Sequence, residues 1–444
     1  MPAEAPDSAP PGRWQRLAAL ARTDARRLMT TGVPHLFMAL VFTQGISLIR
    51  RVLLTGILTL EELGQMTYVT QIADLIAIGA DLGITTAVLK YAAEPVDDRR
   101  RRELYVAGFV WSGASCLTIT LLYALTVALF GLPRDAQLRT YLLIVAPYIP
   151  LATLSRIPLV LMQAIREIRR AARYTAVTQT VSLVLLVGAT WLYGLPGFFA
   201  TLIAAPATNL ALLLFATRRY LGWIPPRLAV LRELLSFGFF SVLANLAGFA
   251  NSTLVVVTLR ALTGSDAAVG VYSIGLLIAN AARLLPSALL QTAFPYLSGL
   301  VNEPARLHRR MWELSLKQAS VLAGVFALWL LAGRWAITLV WGAEKADGFA
   351  PGTILLLGIL SFSLSSPAGN VLLALGRVRL NFLFGLTQLV VTFASSLVLI
   401  PRFGGSGAAA AVTLGQLADS ALALVAATGV LRRAALEPER RTEA

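Results

Sequence analysis

The chain is short of almost everything that soluble chemistry uses. Its 444 residues include one cysteine and two histidines, and only 14% are charged, against about 25% in an ordinary soluble domain. The single Cys116 excludes an intrachain disulfide; it sits in an apolar run and reads as a small packing residue. His35 and His308 stand too far apart in sequence and in predicted depth to share a metal. No paired catalytic carboxylates, nucleophile triad or ligand cluster appears. The glycine-rich stretch RFGGSGAAAA (402–411) lacks the Gly-Lys-Ser/Thr of a phosphate-binding loop and opens an apolar helix instead. Long loops are missing as well, so no extramembrane domain is available for a soluble-type active site. The expectation is a protein that is not an enzyme and that carries no resident metal or cofactor.

What the chain does have is apolar length. Hydrophobic residues make up 57% and the mean hydropathy is +0.71. Several apolar runs exceed the roughly 18 residues that mark a bilayer span. They predict twelve transmembrane helices, near 33–57, 66–92, 104–130, 141–163, 174–193, 197–217, 234–259, 270–296, 318–340, 352–374, 380–400 and 404–430. The expected fold class is an all-α polytopic membrane protein.

A net charge of +15 and a pI near 10.7 suggest nucleic acid until the cations are placed. Of the 38 Lys and Arg, 28 fall in the two tails and in alternate loops, including Arg99 to Arg102, Arg166, Arg169, Arg170 and Arg173. The opposite loops hold only Arg134, Arg139, Arg260, Lys345 and Arg402. Positive loops stay in the cytoplasm, so both termini are expected there, the helix count is even, and no nucleic-acid partner is implied. Arg99 to Arg102 reads as a topology anchor at the headgroups of membrane lipid. Residues 1–32 read as a solvated basic tail rather than a signal peptide.

The longer basic connection around Pro225-Pro226 suggests two halves. Expected boundaries are a cytoplasmic tail 1–32, a first six-helix bundle 33–217, a linker 218–233, a second bundle 234–430 and a tail 431–444. The halves resemble one another weakly. Gly194 and Gly197 match Gly404 and Gly407, and AIREIR (164–169) matches ALGRVR (374–379), all at an offset of 210. Gly64 and IAD (72–74) match Gly270 and IAN (278–280) at an offset of 206. Six-helix repeats keep the same orientation, as two bundles about an axis along the membrane normal, with the site between them.

Polar residues in the apolar runs fall at helical spacing. Thr67, Gln71, Asp74, Asp81 and Thr85 share a face of the second helix. Ser273, Asn280, Arg283, Ser287 and Gln291 share one of the eighth. The first presents Ser47, Arg50 and Arg51, and the seventh Ser241, Asn245 and Ser252. Lipid cannot satisfy such a stripe, so it must face protein or a wet cavity. One alternative is purely structural, with Asp74 or Asp81 pairing with Arg50 or Arg51. The cations outnumber the acids, however: Arg50, Arg51, Arg156, Arg283 and Arg334 face Asp74, Asp81 and Asp419. Arg334 lies near an interface and can snorkel. Excess buried guanidinium suits an anion such as phosphate, which arginine binds in bidentate fashion.

Four stretches resemble a family. LIPRFGGSGAAAAVTLGQ (399–416), ALGRVRLNF (374–382), VGVYSIGLLIANAARLLPSALLQTAFPYLS (269–298) and LGQMTYVTQIADLIAIGADLGITTAVLKYAA (63–93) are similar, in order, to patterns of the polysaccharide-transporter branch of the multidrug/oligosaccharidyl-lipid/polysaccharide (MOP) exporter superfamily. The resemblance covers about residues 33 to 430. It implies two six-helix bundles in a V and a monomer that flips undecaprenyl-diphosphate-linked oligosaccharide across the bacterial cytoplasmic membrane by alternating access. It also implies downstream polysaccharide polymerase machinery as a partner. On this resemblance Arg50, Arg51 and Arg283 contact diphosphate and Asn245, Asn280 and Gln291 the sugars, with Arg156 and Ser287 also among the expected substrate-binding residues. Asp74, Asp81 and Asp419 pair with arginine or bind a coupling cation, Na+ or a proton. Many relatives carry an acid near Asn251, where this chain has Asn-Ser, which puts acid-based coupling there in doubt. Competing readings are a cation-coupled drug exporter, which calls for an acidic, aromatic-lined cavity, and a lipid II flippase, usually with two more helices. A membrane glycosyltransferase or polymer ligase needs a large acidic outer loop. The surface polymer served, whether O-antigen, capsule, exopolysaccharide or wall polymer, is left open.

Overall fold

The structure is a computed structural model that describes residues 33–131, 133–220, 225 and 227–442. The tail arginines Arg13, Arg16, Arg22, Arg26 and Arg27 and part of the linker, 221–224 and 226, lie outside the described residues. Among the described residues all regular structure is helical: α1 (Val33–Ile57), α2 (Leu60–Ala80), α3 (Ile84–Ala93), α4 (Asp98–Phe130), α5 (Ala136–Val145), α6 (Tyr148–Leu154), α7 (Arg156–Ala164), α8 (Ile168–Thr217), α9 (Leu228–Thr263), α10 (Asp266–Gly299), α11 (Pro304–Trp341), α12 (Phe349–Ala374) and α13 (Val378–Thr442).

Two of these helices are too long for a single crossing. With 50 and 65 residues, α8 and α13 would run about 75 and 100 Å at 1.5 Å per residue, against a hydrocarbon core of about 30 Å. Each has one residue off the helical path, Gly194 (φ 63°, ψ −146°) and Gly404 (φ 54°, ψ −127°). That region is open essentially to glycine alone. A side-chain carbon on Gly197 would collide with the Ala189 carbonyl, and one on Gly407 with the Leu399 carbonyl. Contact between residues eight apart means that the chain has reversed. Among the described residues eight helices are long and apolar enough to span a membrane, and nine when α2 and α3 count as one span bent by 49°. Separating the two reversals and adding α1 gives the twelve expected crossings: a multi-pass, all-α membrane protein of two six-helix bundles.

Local chemistry sets the boundaries. Thr59 and Glu62 form a capping box at the start of α2, satisfying amide hydrogens that would otherwise be orphaned. The expected helix 66–92 therefore starts earlier, at Leu60, and is interrupted. Leu82 (φ 51°) and Gly83 (φ 74°) turn the chain. Gly83 lies against Gly238 of α9, backbone to backbone, with no room for a side chain on either. The fourth crossing is likewise divided into α5, α6 and α7. The expected seventh helix begins at Leu228 rather than 234, and the expected eighth, α10, runs from Asp266 to Gly299 rather than over 270–296.

The repeat is visible in backbone geometry. Gly194 and Gly404 do the same job, as do Gly197 and Gly407. Arg166 (φ 62°) corresponds to Gly376 (φ 73°). The Glu167 amide donates to Met162 O at 2.9 Å, and the Arg377 amide to Leu372 O at 2.8 Å, each at the 210-residue offset. At the 206-residue offset, Gly64 abuts the Asp266 carbonyl and Gly270 abuts the Leu60 carbonyl. Each half thus makes the same contact with the other, across a pseudo-twofold axis.

The cores show which end is closed. Toward the sparsely charged face a single cluster joins Leu54, Leu63 and Val69 of the first half to Val256, Val269 and Leu355 of the second. Toward the arginine-rich face, besides a small cluster of Met162, Ala171, Leu213 and Ala216 in the first half, there are two larger ones. One holds Ile84, Leu104, Ile157 and Leu161 with Val230 and Leu234 from the start of α9. The other holds Leu297, Leu307, Val371 and Leu431. The halves share one core at the first end; at the second, the start of α9 packs against the first half while the core of α10 to α13 stands apart. A valine at Gly64 should cost about 1–3 kcal/mol through overpacking, seen as a lowered thermal midpoint of detergent-purified protein. Gly429→Val, where nothing lies within 4 Å, should change it far less.

Candidate functional site

The space between the halves is a cavity of about 1390 Å³. It reaches from mid-bilayer to the basic face, where Thr175, Val378 and Asn381 line its mouth. Arg50, Arg51, Arg156, Arg283, Asn245, Asn280, Asp74 and Asp81 all line it. Two expected residues do not. Ser287 is half-buried outside the lining, although Ser273, Asn280 and Arg283 of the same helix are in it. Asp419 stands behind Gln416 rather than in the cavity. The side chain of Gln291 lies outside the described residues.

The acids are held by neutral donors. Tyr148 donates its hydroxyl to Asp74 Oδ1 at 2.6 Å. Arg156, Arg51 and Arg50 lie within electrostatic range of Asp74, yet among the described residues none of the four cavity arginines has a nitrogen within 4.0 Å of a carboxylate oxygen. The direct Asp–Arg pairing considered above is therefore not formed. Asp81 accepts from the Thr85 hydroxyl at 2.6 Å and the Thr85 amide at 3.3 Å. It closes the first turn of α3 at the break, so its contacts are those of a helix cap. With two aspartates against four arginines, the lining carries an excess of two positive charges.

On the second half, Arg283 stacks over the Phe362 ring, 4.5 Å from its centroid, and reaches Gln416 Oε1 at 3.5 Å. The same oxygen accepts from Gln388 Nε2 at 3.3 Å, while Gln416 Nε2 points to Asp419 Oδ2 at 3.5 Å. Tyr148, Gln388, Gln416, Asn381, Gln179 and Asn209 also line the cavity. Reasoning from sequence missed them. Gln179 belongs to a stripe of Thr175, Thr178 and Ser182 at helical spacing that was a findable signal, whereas Tyr148, Asn209 and Gln416 are more isolated polar residues in apolar surroundings.

The opposite end is tied shut. Arg260 on α9 donates to Asp135 Oδ2 at 3.2 Å and pairs with Asp266, and Gln65 Nε2 donates to Asp266 Oδ2 at 3.0 Å. Trp341 Nε1 donates to Val52 O at 2.9 Å and Lys345 Nζ to Thr55 O at 2.5 Å. These two side chains of the second half reach carbonyls in the last two turns of α1, and Thr55 is one of the final four residues, whose carbonyls lack an intrahelical donor.

The chain matches the family described as polysaccharide biosynthesis protein over residues 29–301. It belongs to that family. No curated protein matches it. Among solved structures it is similar to a multidrug resistance MATE family transporter of the MOP superfamily in an inward-facing conformation, at 13% identity and TM-score 0.69, covering 88% of this chain and 95% of that one. It is similar to the lipid II flippase MurJ in an inward closed conformation, at 14% identity and TM-score 0.71, covering 88% and 87%. A MOP superfamily transporter from Pyrococcus furiosus, described as having a binding pocket of reverse polarity, matches at 12% identity and TM-score 0.65, covering 91% and 96%. The fold of the polysaccharide biosynthesis family member is thus that of the MOP transporters, as the sequence motifs imply.

Two measurements probe this arrangement. Tyr148→Phe removes the donor to a carboxylate and should cost about 1–3 kcal/mol; thermal unfolding of Tyr148→Phe, Asp74→Asn and the double variant should show non-additivity. In a Cys116→Ala background, a cysteine replacing Ser252, which lines the cavity, should react with an impermeant maleimide from the arginine-rich face. Adding Arg260→Ala should raise its reactivity from the opposite face.

Proposed function

We propose that the protein is a flippase that moves undecaprenyl-diphosphate-linked oligosaccharide from the cytoplasmic to the outer leaflet of a bacterial cytoplasmic membrane, by alternating access. The observation that carries this reading is the set of arginines in the cavity with no carboxylate in contact. Guanidinium at membrane depth without a carboxylate partner is costly, and a diphosphate supplies the missing bidentate acceptors. The neutral amides and the aqueous mouth suit sugars, while the polyprenyl tail stays in the bilayer between the bundles.

Orientation follows from the charges. The arginine-rich face is cytoplasmic under the positive-inside rule, so both termini are cytoplasmic and the cavity opens toward the side where lipid-linked sugars are built. Asp74, held by Tyr148 and surrounded by arginines, is where a coupling cation, Na+ or a proton, would act. Delivered oligosaccharide would then serve polymerase machinery on the outer side. A drug exporter selecting organic cations fits poorly with an excess of positive charge.

Mass spectrometry of lipid-linked glycans in cells depleted of the protein tests the reading. The expected result is accumulation of an undecaprenyl-diphosphate oligosaccharide on the cytoplasmic side, cleared by wild type but not by Arg50→Ala/Arg51→Ala at equal expression. Losing two charge-assisted contacts should lower transport by about tenfold or more. No accumulation, together with altered efflux of cationic dyes, would overturn it.

A further inference from the structure

The repeat allows the two walls of the cavity to be compared position by position. Helix ends agree at the 206-residue offset, with Ile57 against Thr263 and Leu60 against Asp266, so side chains of α1 and α2 can be set against those of α9 and α10. Arg50 and Arg51 fall against Val256 and Val257, Asp74 against Asn280, and Asp81 against Ser287. At the 210-residue offset Arg156 falls against Ser366. At each of these positions the first half is ionic and the second is neutral. Around the cavity the same division holds. The first half contributes five charged side chains to the lining, and the second contributes Arg283 alone. Amides line both halves but are more numerous in the second, which carries Asn280, Asn381, Gln388 and Gln416 on α10 and α13 as well as Asn245 and Asn251 on α9, against Gln71, Gln179 and Asn209 in the first.

We propose that the two halves divide the substrate between them, the first taking the diphosphate and the second taking the oligosaccharide. This rests on the flippase reading above. A diphosphate is compact and anionic and calls for guanidinium. A sugar is neutral and presents hydroxyls that both donate and accept, which a carboxamide meets with one group of each kind. The amides are also spread along the wall. Asn381 stands at the cytoplasmic mouth, and Gln388 lies seven residues farther along the same helix, about 10 Å at 1.5 Å per residue. That path is longer than one sugar ring, so the wall can follow an oligosaccharide rather than a single residue.

Existing hydrogen bonds orient the amides. Asn381 Nδ2 is committed to Gly369 O at 3.0 Å, which leaves its oxygen as an acceptor. Gln388 Nε2 is committed to Gln416, which does the same for Gln388. Arg283, one helical turn from Asn280 on α10 and stacked on Phe362, is placed at the junction of phosphate and first sugar.

The test uses full-length protein in nanodiscs and two probes: undecaprenyl diphosphate, which has no sugar, and the lipid-linked glycan recovered from depleted cells. Affinities are read by native mass spectrometry for wild type, Asn280→Ala, Gln388→Ala and Arg50→Ala/Arg51→Ala. Each amide variant should bind the glycan lipid about tenfold more weakly, as expected for one or two lost hydrogen bonds. Each should keep its affinity for undecaprenyl diphosphate, which also shows that the variant is folded. The arginine variant should weaken both. If the amide variants lower both affinities alike, or neither, the division of the substrate is wrong while the flippase reading stands. If wild type binds neither lipid, or no glycan accumulates to be tested, the flippase reading fails and this inference falls with it.

Discussion

The hydrocarbon core of a bilayer offers no hydrogen bonds, and every feature of this protein answers to that constraint. It restricts the chain to helices, whose backbone groups satisfy one another. It sorts the side chains too: Leu331, Trp191 and Val425 are at least 72% exposed and take lipid as their solvent. Polar residues on the same helices are turned inward, where Tyr148 meets Asp74 and Gln388 meets Gln416. A soluble protein could leave Arg50 or Gln416 on its surface at little cost. Here the inward wall is the only place for them, and the cavity results.

Duplication gives that wall two halves from one packing solution. Gly194 and Gly404 each reverse the chain with a backbone conformation closed to other residues, and Gly197 and Gly407 let the returning helix approach. Gly64 and Gly270 allow the halves to touch carbonyl to carbon at the axis. What is conserved between the halves is therefore steric. What differs is chemical: Arg50, Arg51, Arg156, Asp74 and Asp81 of the first half fall against neutral residues of the second, and Arg283 of the second falls against Ala77 of the first. The break at Leu82–Gly83 corresponds at the repeat offset to an uninterrupted stretch of α10. Once the backbone is fixed by small residues, the lining side chains can be exchanged without disturbing the fold.

Much of this was legible in the sequence because its causes are local. Span number follows from apolar length, and the stripe on α2 and α10 from helical spacing. The reversals follow from glycines matched at a fixed offset. What was not legible depends on neighbours. Asp81 reads as a charge that needs an arginine; in the fold it caps α3 through Thr85, because the helix breaks where sequence periodicity runs on. Asp419 reads as a site residue, but Gln416 stands between it and the cavity. Gln388 and Asn209 carry no periodic signal at all, since one polar residue per helix is enough when six helices converge. Long-range ties such as Lys345 to the end of α1 cannot be seen from either segment alone.

The two ends of the cavity are held by different kinds of interaction, and this bears on how the protein could switch. At the closed end, Arg260, Asp135, Asp266 and Gln65 lie between the halves, with the Arg260 and Asp266 side chains 17% and 11% exposed. Burial strengthens such contacts, but opening that end would admit water to them, and ion pairs in water are worth only about 0–1 kcal/mol each. The groups would exchange one another for solvent and would not be stranded in lipid. The apolar cluster beneath them would lose contact as the end opened, while the divided clusters at the basic end would gain it. Opening one end and closing the other therefore trades like for like, which keeps the gap between the states within the few kcal/mol that a bound ligand can supply. A salt bridge buried in lipid at mid-depth could not be broken so cheaply, and the cavity arginines, free of carboxylate contact, avoid forming one.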